Sequence, residues 1–334
     1  MNIFGDKYRI SIFGESHGPY IGVTLDGVQP GIPLNKRDFS YDLSRRKSGG
    51  IGTTPRIETD EPEIISGVYN DFTTGAPITL LFANSNTHSR DYSQFRDTPR
   101  PGQADFAAGK KFNNFNDLRG GGHFSGRLTL ALVSAGVVAK KIIQPIHISA
   151  NLTSLGGIEK VEKNNKSDSS MSDDWLNILN SSIQGGDSIG GIIECICDGV
   201  PAGLGDPFFN SVESVAAHLM FSIPGVTGVE FGAGFKSANM KGSQHNDCIS
   251  DATGRTETNY AGGINGGITN GNPIICRVAV KPTSSISKNQ ITFNFKTNKM
   301  DDFSVKGRHD VCIALRCPVI VESVMAITLL NLMN

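Results

Sequence analysis

The chain has 334 residues, of which 19% are charged and 38% hydrophobic, with a formal net charge of −1. It is long enough to bury a sizeable core and too apolar for a disordered polymer. Near-neutrality excludes an overall attraction to nucleic acid or an anionic membrane surface, so basic chemistry has to be local. The N-terminal segment MNIFGDKYRISIF has no apolar run of the signal-peptide kind. No stretch reaches the roughly 20 apolar residues of a transmembrane helix. From there, strand-like alternation is expected at Tyr8–Phe13, Ile21–Leu25, Pro77–Phe82, Gly191–Cys197, Gly228–Phe231 and Pro273–Val280. Helices are expected near Lys36–Arg46, Ser125–Ile143, Ser211–Met220 and Pro318–Leu332. The helix over 125–143 is apolar on most faces, which predicts burial. Six cysteines without a C-x-x-C pair read as reduced thiols, with neither a disulfide frame nor a metal site. The reading is a cytoplasmic α+β protein, mostly antiparallel sheet around buried helices.

Two stretches recur in order. Asp26-Gly27-Val28-Gln29-Pro30-Gly31-Ile32 is echoed by Asp198-Gly199-Val200-Pro201-Ala202-Gly203-Leu204, and Thr73-Thr74-Gly75-Ala76-Pro77-Ile78 by Thr269-Asn270-Gly271-Asn272-Pro273-Ile274. This predicts one domain over 1–334 made of two related halves, about 1–150 and 185–334, with the site where they meet. Residues 158–176, around KVEKNNKSDSSMSDD, read as a polar surface insertion.

Candidate chemistry follows the glycines. His17 stands between Ser16 and Gly18 at a strand end, where an imidazole can exchange protons near neutral pH. A lone strand-end histidine is more often a structural hydrogen bonder. The Gly-Glu-Ser-His-Gly spacing fits a serine nucleophile, but no helix follows it as that role requires. Arg45-Arg46-Lys47 leads into Gly49-Gly50; such a cluster is either a solvated face or, beside glycines, a phosphate cradle. Arg100-Pro101-Gly102-Gln103-Ala104-Asp105 precedes Arg119-Gly120-Gly121-Gly122-His123-Phe124-Ser125-Gly126-Arg127. The second run feeds the long helix. Ser125 suits an N-cap, but two cations at the positive end of a helix dipole point to an anion. Lys281-Pro282-Thr283-Ser284-Ser285 and Lys306-Gly307-Arg308-His309-Asp310 add an ammonium, hydroxyls, an imidazole and a carboxylate.

With GESHG, SGVYNDFTTGAPI, RPGQAD, RGGGHFSGR, GDSIGG, GVPAGLGDP, AGGINGG, KPTSSI and GRHD-to-PVIVESVMAI in one order over residues 5 to about 330, the chain resembles the chorismate synthase family. The resemblance implies a β-α-β sandwich with internal pseudo-symmetry. It implies a lyase that converts the small phosphorylated acid 5-enolpyruvylshikimate 3-phosphate to chorismate and phosphate, using reduced FMN without net redox change. It also implies a homotetramer. The absence of a G-x-G-x-x-G fingerprint for NADPH points to a separate flavin reductase as partner. By resemblance His17 is the acid near the departing phosphate and Asp310 helps the flavin accept a proton. Arg46 matches a substrate-binding arginine, with Arg45 and Arg127 beside it in this role. His123, Phe124, Ser125, Pro224, Gly225, Gly266, Lys281, Pro282, Thr283, Ser284, Ser285 and Arg308 match flavin-contacting positions. Gln103 departs from the family's usual histidine, and an amide does not transfer a proton near pH 7. His123, where arginine is commoner, is the candidate to compensate. Gln103 also leaves open an alternative, a paralogue that binds flavin or substrate and turns over poorly. A nucleic-acid binder is disfavoured by the neutral charge.

Overall fold

The computed structural model describes residues 2–54, 58–85, 92–160, 171–307 and 309–333. The first sheet consists of β1 (Ile3–Phe4), β2 (Arg9–Gly14), β3 (Tyr20–Asp26), β4 (Glu63–Ser66) and β7 (Ile78–Ala83), in the order β1-β2-β3-β7-β4. A small hairpin, β5 (Val68–Tyr69) and β6 (Phe72–Thr73), hangs from it. The second sheet consists of β8 (His147–Leu155), β9 (Ile158–Glu159), β10 (Gly191–Asp198), β11 (Val226–Phe231) and β14 (Ile274–Val280), in the order β11-β14-β10-β8-β9. Hairpins β12–β13 (Ile264–Asn265, Ile268–Thr269) and β15–β16 (Gln290–Asn294, Lys299–Phe303) stand apart from both sheets. Every strand pairing among the described residues is antiparallel, as the alternating patterns predict.

The helices are α1 (Ser40–Arg46), α2 (Asp105–Lys111), α3 (Thr129–Ile142), α4 (Asp173–Gln184), α5 (Val212–Met220), α6 (Gly242–His245) and α7 (Pro318–Leu332). α3 packs on β3 of the first sheet, α7 on β8 and β10 of the second, and the two helices pack on each other. The result is a β-α-β sandwich. Residues 129–139 of α3 and 319–329 of α7 are buried on every face, so apolar content without periodicity is what the middle layer requires. Among the described residues no helix is long and apolar enough to cross a membrane. The six cysteines are free thiols; burial pushes Cys312 up to about 11 and Cys317 up to about 12.

The helices cross where Gly136 meets Ser323. A Cβ at Gly136 would lie 2.5 Å from the Ser323 Cα. Gly136→Ala is expected to destabilise the protein despite alanine's helix advantage of about 1 kcal/mol, because overpacking a closed core costs about 1–3 kcal/mol or more. A lowered denaturant midpoint at unchanged m-value checks this; a raised midpoint contradicts it.

The echoed stretches occupy equivalent places. β3 pairs β7 with Leu25 opposite Ile78, and β10 pairs β14 with Cys197 opposite Ile274. In the first sheet the Thr73 hydroxyl donates to the Gln29 carbonyl (2.6 Å) and accepts from the Ile32 N–H (2.9 Å). In the second, Thr269 donates to the Pro201 carbonyl (2.7 Å) and accepts from the Leu204 N–H (2.9 Å).

Some boundaries differ from the sequence expectation. The segment 125–143 does not start as one helix: Ser125 is extended and caps a 3₁₀ turn over Gly126–Leu128, and α3 begins only at Thr129. Likewise Lys36–Phe39 is a 3₁₀ turn capped by Asn35, ahead of α1. Residues 161–170 of the expected insertion lie outside the described residues, but its edges are not loop. β9 covers 158–159, and α4 starts at Asp173 because Ser172 caps it and Trp175 is buried. The strand β8, the helix α2 and the β15–β16 hairpin are additional to the elements expected from the sequence.

Candidate active site

One cavity of about 400 Å³ collects loops from both sheets. The turn after β2 brings Ser16 and His17, the end of α1 brings Arg46, and the segment before β4 brings Glu58 and Asp60. From the loops around α2 come Arg100, Gln103 and residues of the glycine run. The second half adds Pro224-Gly225 before β11, Lys281–Ser285 after β14, and the segment before α7 with Lys306, His309, Asp310 and Arg316.

The glycine run shapes the floor. Gly120, Gly121 and Gly122 all adopt positive φ, and the Gly122 carbonyl accepts from the Ser16 N–H (3.1 Å), joining this loop to the histidine turn. A Cβ at Gly120 would lie 2.6 Å from His17 Nε2 and 2.8 Å from Ser16 Oγ, so only glycine lets the imidazole sit there. The His17 ring is nearly buried and meets Tyr92 edge-on, with centroids 5.1 Å apart.

Two arginines converge on one carboxylate. Asp60 accepts from Arg46 Nη2 at 2.5 Å and from Arg127 Nη1 at 2.6 Å, all three side chains being buried. Burial opposes ionisation of Asp60, but Arg46 and Arg127 outweigh it and hold the carboxyl below the usual range. Burial, helped by Arg316 and Arg127 and opposed by Asp60, pulls Arg46 down to about 10. Asp310 accepts from Arg316 Nη2 and from the Thr54 N–H (2.8 and 2.9 Å). Arg100 makes two 2.8 Å bonds to Asp105 and one of 3.1 Å to Ser285, and lies over the Phe95 ring. Each of its three side-chain nitrogens thus has a partner within the protein. Burial and then the Arg100 charge hold His309 below the usual imidazole value, so it is neutral at pH 7. Lys281 Nζ and Ser284 Oγ both donate to the Gly102 carbonyl (2.7 and 2.8 Å), fixing the loop that carries Gln103. The Gln103 side-chain oxygen accepts from the Ala104 N–H at 3.0 Å.

Five buried polar atoms on cavity-lining residues have no hydrogen-bond partner among the described residues: Arg46 Nε, Arg127 Nη2, Arg316 Nε, Thr283 Oγ1 and His309 Nε2. Such groups cost about 1–3 kcal/mol each when left unmade, so their gathering in one place marks a ligand site. Basic side chains outnumber carboxylates around it, a lining that suits an anion. Among the described residues no cluster of metal-binding side chains exists.

Of the residues expected from sequence, the cavity unites His17, Arg46, Gln103, Phe124, Ser125, Arg127, Pro224, Gly225, Lys281, Pro282, Thr283, Ser284, Ser285 and Asp310. It does not include Arg45, whose guanidinium is held by Glu322 at 2.6 and 2.7 Å. Nor does it include His123, whose Nδ1 is bonded to the Gly14 carbonyl at 2.8 Å, or Gly266, which sits in the β12–β13 turn. The compensating role expected for His123 therefore has no support from its position. Arg308 lies outside the described residues. Asp60, Tyr92 and Arg316 also line the cavity and were not singled out from sequence, whereas Arg100 and His309 stood within quoted motifs without an assigned role. The motif RPGQAD carried Arg100, but nothing local marks Asp60.

A family profile described as chorismate synthase matches residues 8–333. The chain is 56% identical over its full length to the chorismate synthase of Chitinophaga pinensis, covering 96% of that protein. It is 43% identical to that of Korarchaeum cryptofilum, with 98% of this chain and 96% of the relative covered. Against a crystal structure of chorismate synthase the TM-score is 0.75 at 27% identity, over 98% of this chain and 92% of that one.

Proposed function

The chain belongs to the chorismate synthase family, lyases of aromatic amino-acid biosynthesis that release phosphate from 5-enolpyruvylshikimate 3-phosphate, and from that premise we propose that its cavity works with reduced FMN. The observation that supports this is the set of five unpartnered buried polar atoms facing a basic cavity. A substrate with two carboxylates and a phosphate needs such a lining. The alternative of a poorly active binding paralogue finds no support in the comparisons.

The residues present fit the flavin. Phe124, Pro224 and Ile313 offer apolar wall for a ring, and Thr283 Oγ1 is an unused polar atom beside it. Phe124, Ser125, Pro224, Gly225 and Lys281–Ser285 would hold the group. When bound, reduced FMN supplies electron density that assists the C–O bond to break and takes up the hydrogen lost from the ring, with no net redox change.

The chain's own residues do the rest. Arg46 and Arg127 hold substrate anions through Nε and Nη2. His17 delivers a proton to the phosphate oxygen as the C–O electron pair leaves with it. Asp310, fixed by Arg316 and the Thr54 N–H, is the carboxylate that would help the flavin accept a proton. Gln103 donates a hydrogen bond through its amide without transferring a proton. The chain acts as one domain of two related halves, in the cytoplasm, as a homotetramer supplied by a separate flavin reductase.

The test is an anaerobic titration with substrate present. Reduced FMN is expected to bind at least about tenfold more tightly than oxidised FMN, because the anionic reduced ring suits a cationic site. Equal affinities, together with no turnover, overturn the proposal.

A further inference from the structure

Asp60 has no part in the steps above, yet it is among the most enclosed charges of the cavity, with its side chain 2% exposed. It stands just before β4 with φ at +52°, a conformation that aspartate tolerates better than most residues. Both oxygens are in use, one on Arg46 Nη2 and one on Arg127 Nη1. The two guanidinium groups enclose the carboxyl and hold it below its usual range, so Asp60 is poorly suited to act as a base. What it does is set the direction of two guanidinium groups. Arg127 is gripped a second time: its Nε donates to Asn84 Oδ1 at 2.9 Å, and Asn84 Nδ2 donates to the Glu15 and Gly18 carbonyls at 3.2 and 2.8 Å. Those carbonyls flank His17.

With these bonds made, the unpartnered donors of the pair are Arg46 Nε and Arg127 Nη2. Without the carboxylate, Arg46 and Arg127 would also repel each other and Arg316. We infer that Asp60 is the positioning residue of the anion site, using one donor of each arginine to aim another at the substrate, and that Asn84 couples Arg127 to the turn bearing His17. The inference rests on the reading that Arg46 and Arg127 hold the substrate.

The experiment is steady-state kinetics under anaerobic conditions with reduced FMN, plus FMN binding, on Asp60→Asn. The asparagine keeps the shape but loses the charge and turns an N–H toward one guanidinium. KM for 5-enolpyruvylshikimate 3-phosphate is expected to rise by about tenfold to a hundredfold, the worth of a charge-assisted hydrogen bond. The kcat is expected to stay within about threefold and the FMN affinity to be unchanged. A lower melting temperature with unchanged KM would reduce Asp60 to a structural role, and a lowered KM would make it a competitor of the substrate; either overturns the inference. Arg127→Lys separates the two levels. If it leaves KM unchanged, the substrate reading of the arginines fails; if it raises KM while Asp60→Asn does not, only the inference fails. Should Asp60→Asn not fold, Asn84→Ala at a half-buried position serves instead. It is expected to raise KM and also lower kcat, and unchanged values of both overturn the coupling.

Discussion

Replacing His17 by alanine is expected to lower kcat by about 10²-fold or more, with KM held within about threefold. The proposed proton goes to an oxygen that gains charge only as its bond to carbon breaks, so the contribution belongs to the transition state and not to binding. The position allows little else. His17 is nearly buried between the Tyr92 ring and the bare backbone of Gly120, so its nitrogen works at short range in the cavity. His17→Gln separates proton delivery from hydrogen bonding, since an amide does only the second. Both variants slow to the same extent if delivery is the role. Near-normal turnover in either would return His17 to a structural bond.

The second large effect lies outside the cavity. Glu322 on α7 accepts from Arg45 at 2.6 and 2.7 Å, from Lys140 at 2.9 Å and from the Ala150 N–H at 3.1 Å, tying α1, α3 and β8 to one buried carboxylate. Glu322→Ala is expected to cost about 3 kcal/mol, near the lower end for breaking a buried pair because both cations keep some solvent. Burial raises the carboxyl's pKa, but Arg45 and Lys140 outweigh it and hold it below the usual value. The sign follows: this stabilisation is complete above the unfolded value of about 4.3 and is lost as pH falls through the lower folded one. Urea unfolding at pH 7 and across the acid range reads both. A variant as stable as wild type at pH 7, or one with the same acid dependence, contradicts the assignment.

How much of this was legible depends on how local each cause is. β3 alternates apolar residues in sequence and β14 is a short, largely apolar run rich in β-branched residues, while α3 and α7 are apolar over most of their length, so single windows suffice. The echo of Thr73 by Thr269 was visible because the shared turn needs the same hydroxyl at the same place. α4 was not, since its first turn, Asp173-Asp174, looks like the polar run before it and only the buried Trp175 and Leu179 give it a helix face. In the site, His17, Arg46 and Arg127 stood out beside glycines. Asp60 did not, because its partners are 14 and 67 residues away and a single aspartate in a polar segment has no signature. Arg45 misled for the converse reason: adjacent arginines on one helix point to different neighbours, and only packing decides which meets the cavity.

The cavity is lined by seven basic side chains against three carboxylates among the described residues, in a chain whose formal net charge is −1. The remainder of the molecule is therefore negative. A multiply charged ligand approaching at random is turned away from most of the surface and drawn toward one mouth, which focuses collisions where they are productive. That guidance works only over about one Debye length, about 8 Å at physiological ionic strength and about 3 Å at 1 M salt. Added salt thus slows the encounter while leaving the enclosed hydrogen bonds nearly intact, and the rate of capture and the rate of chemistry respond to ionic strength separately.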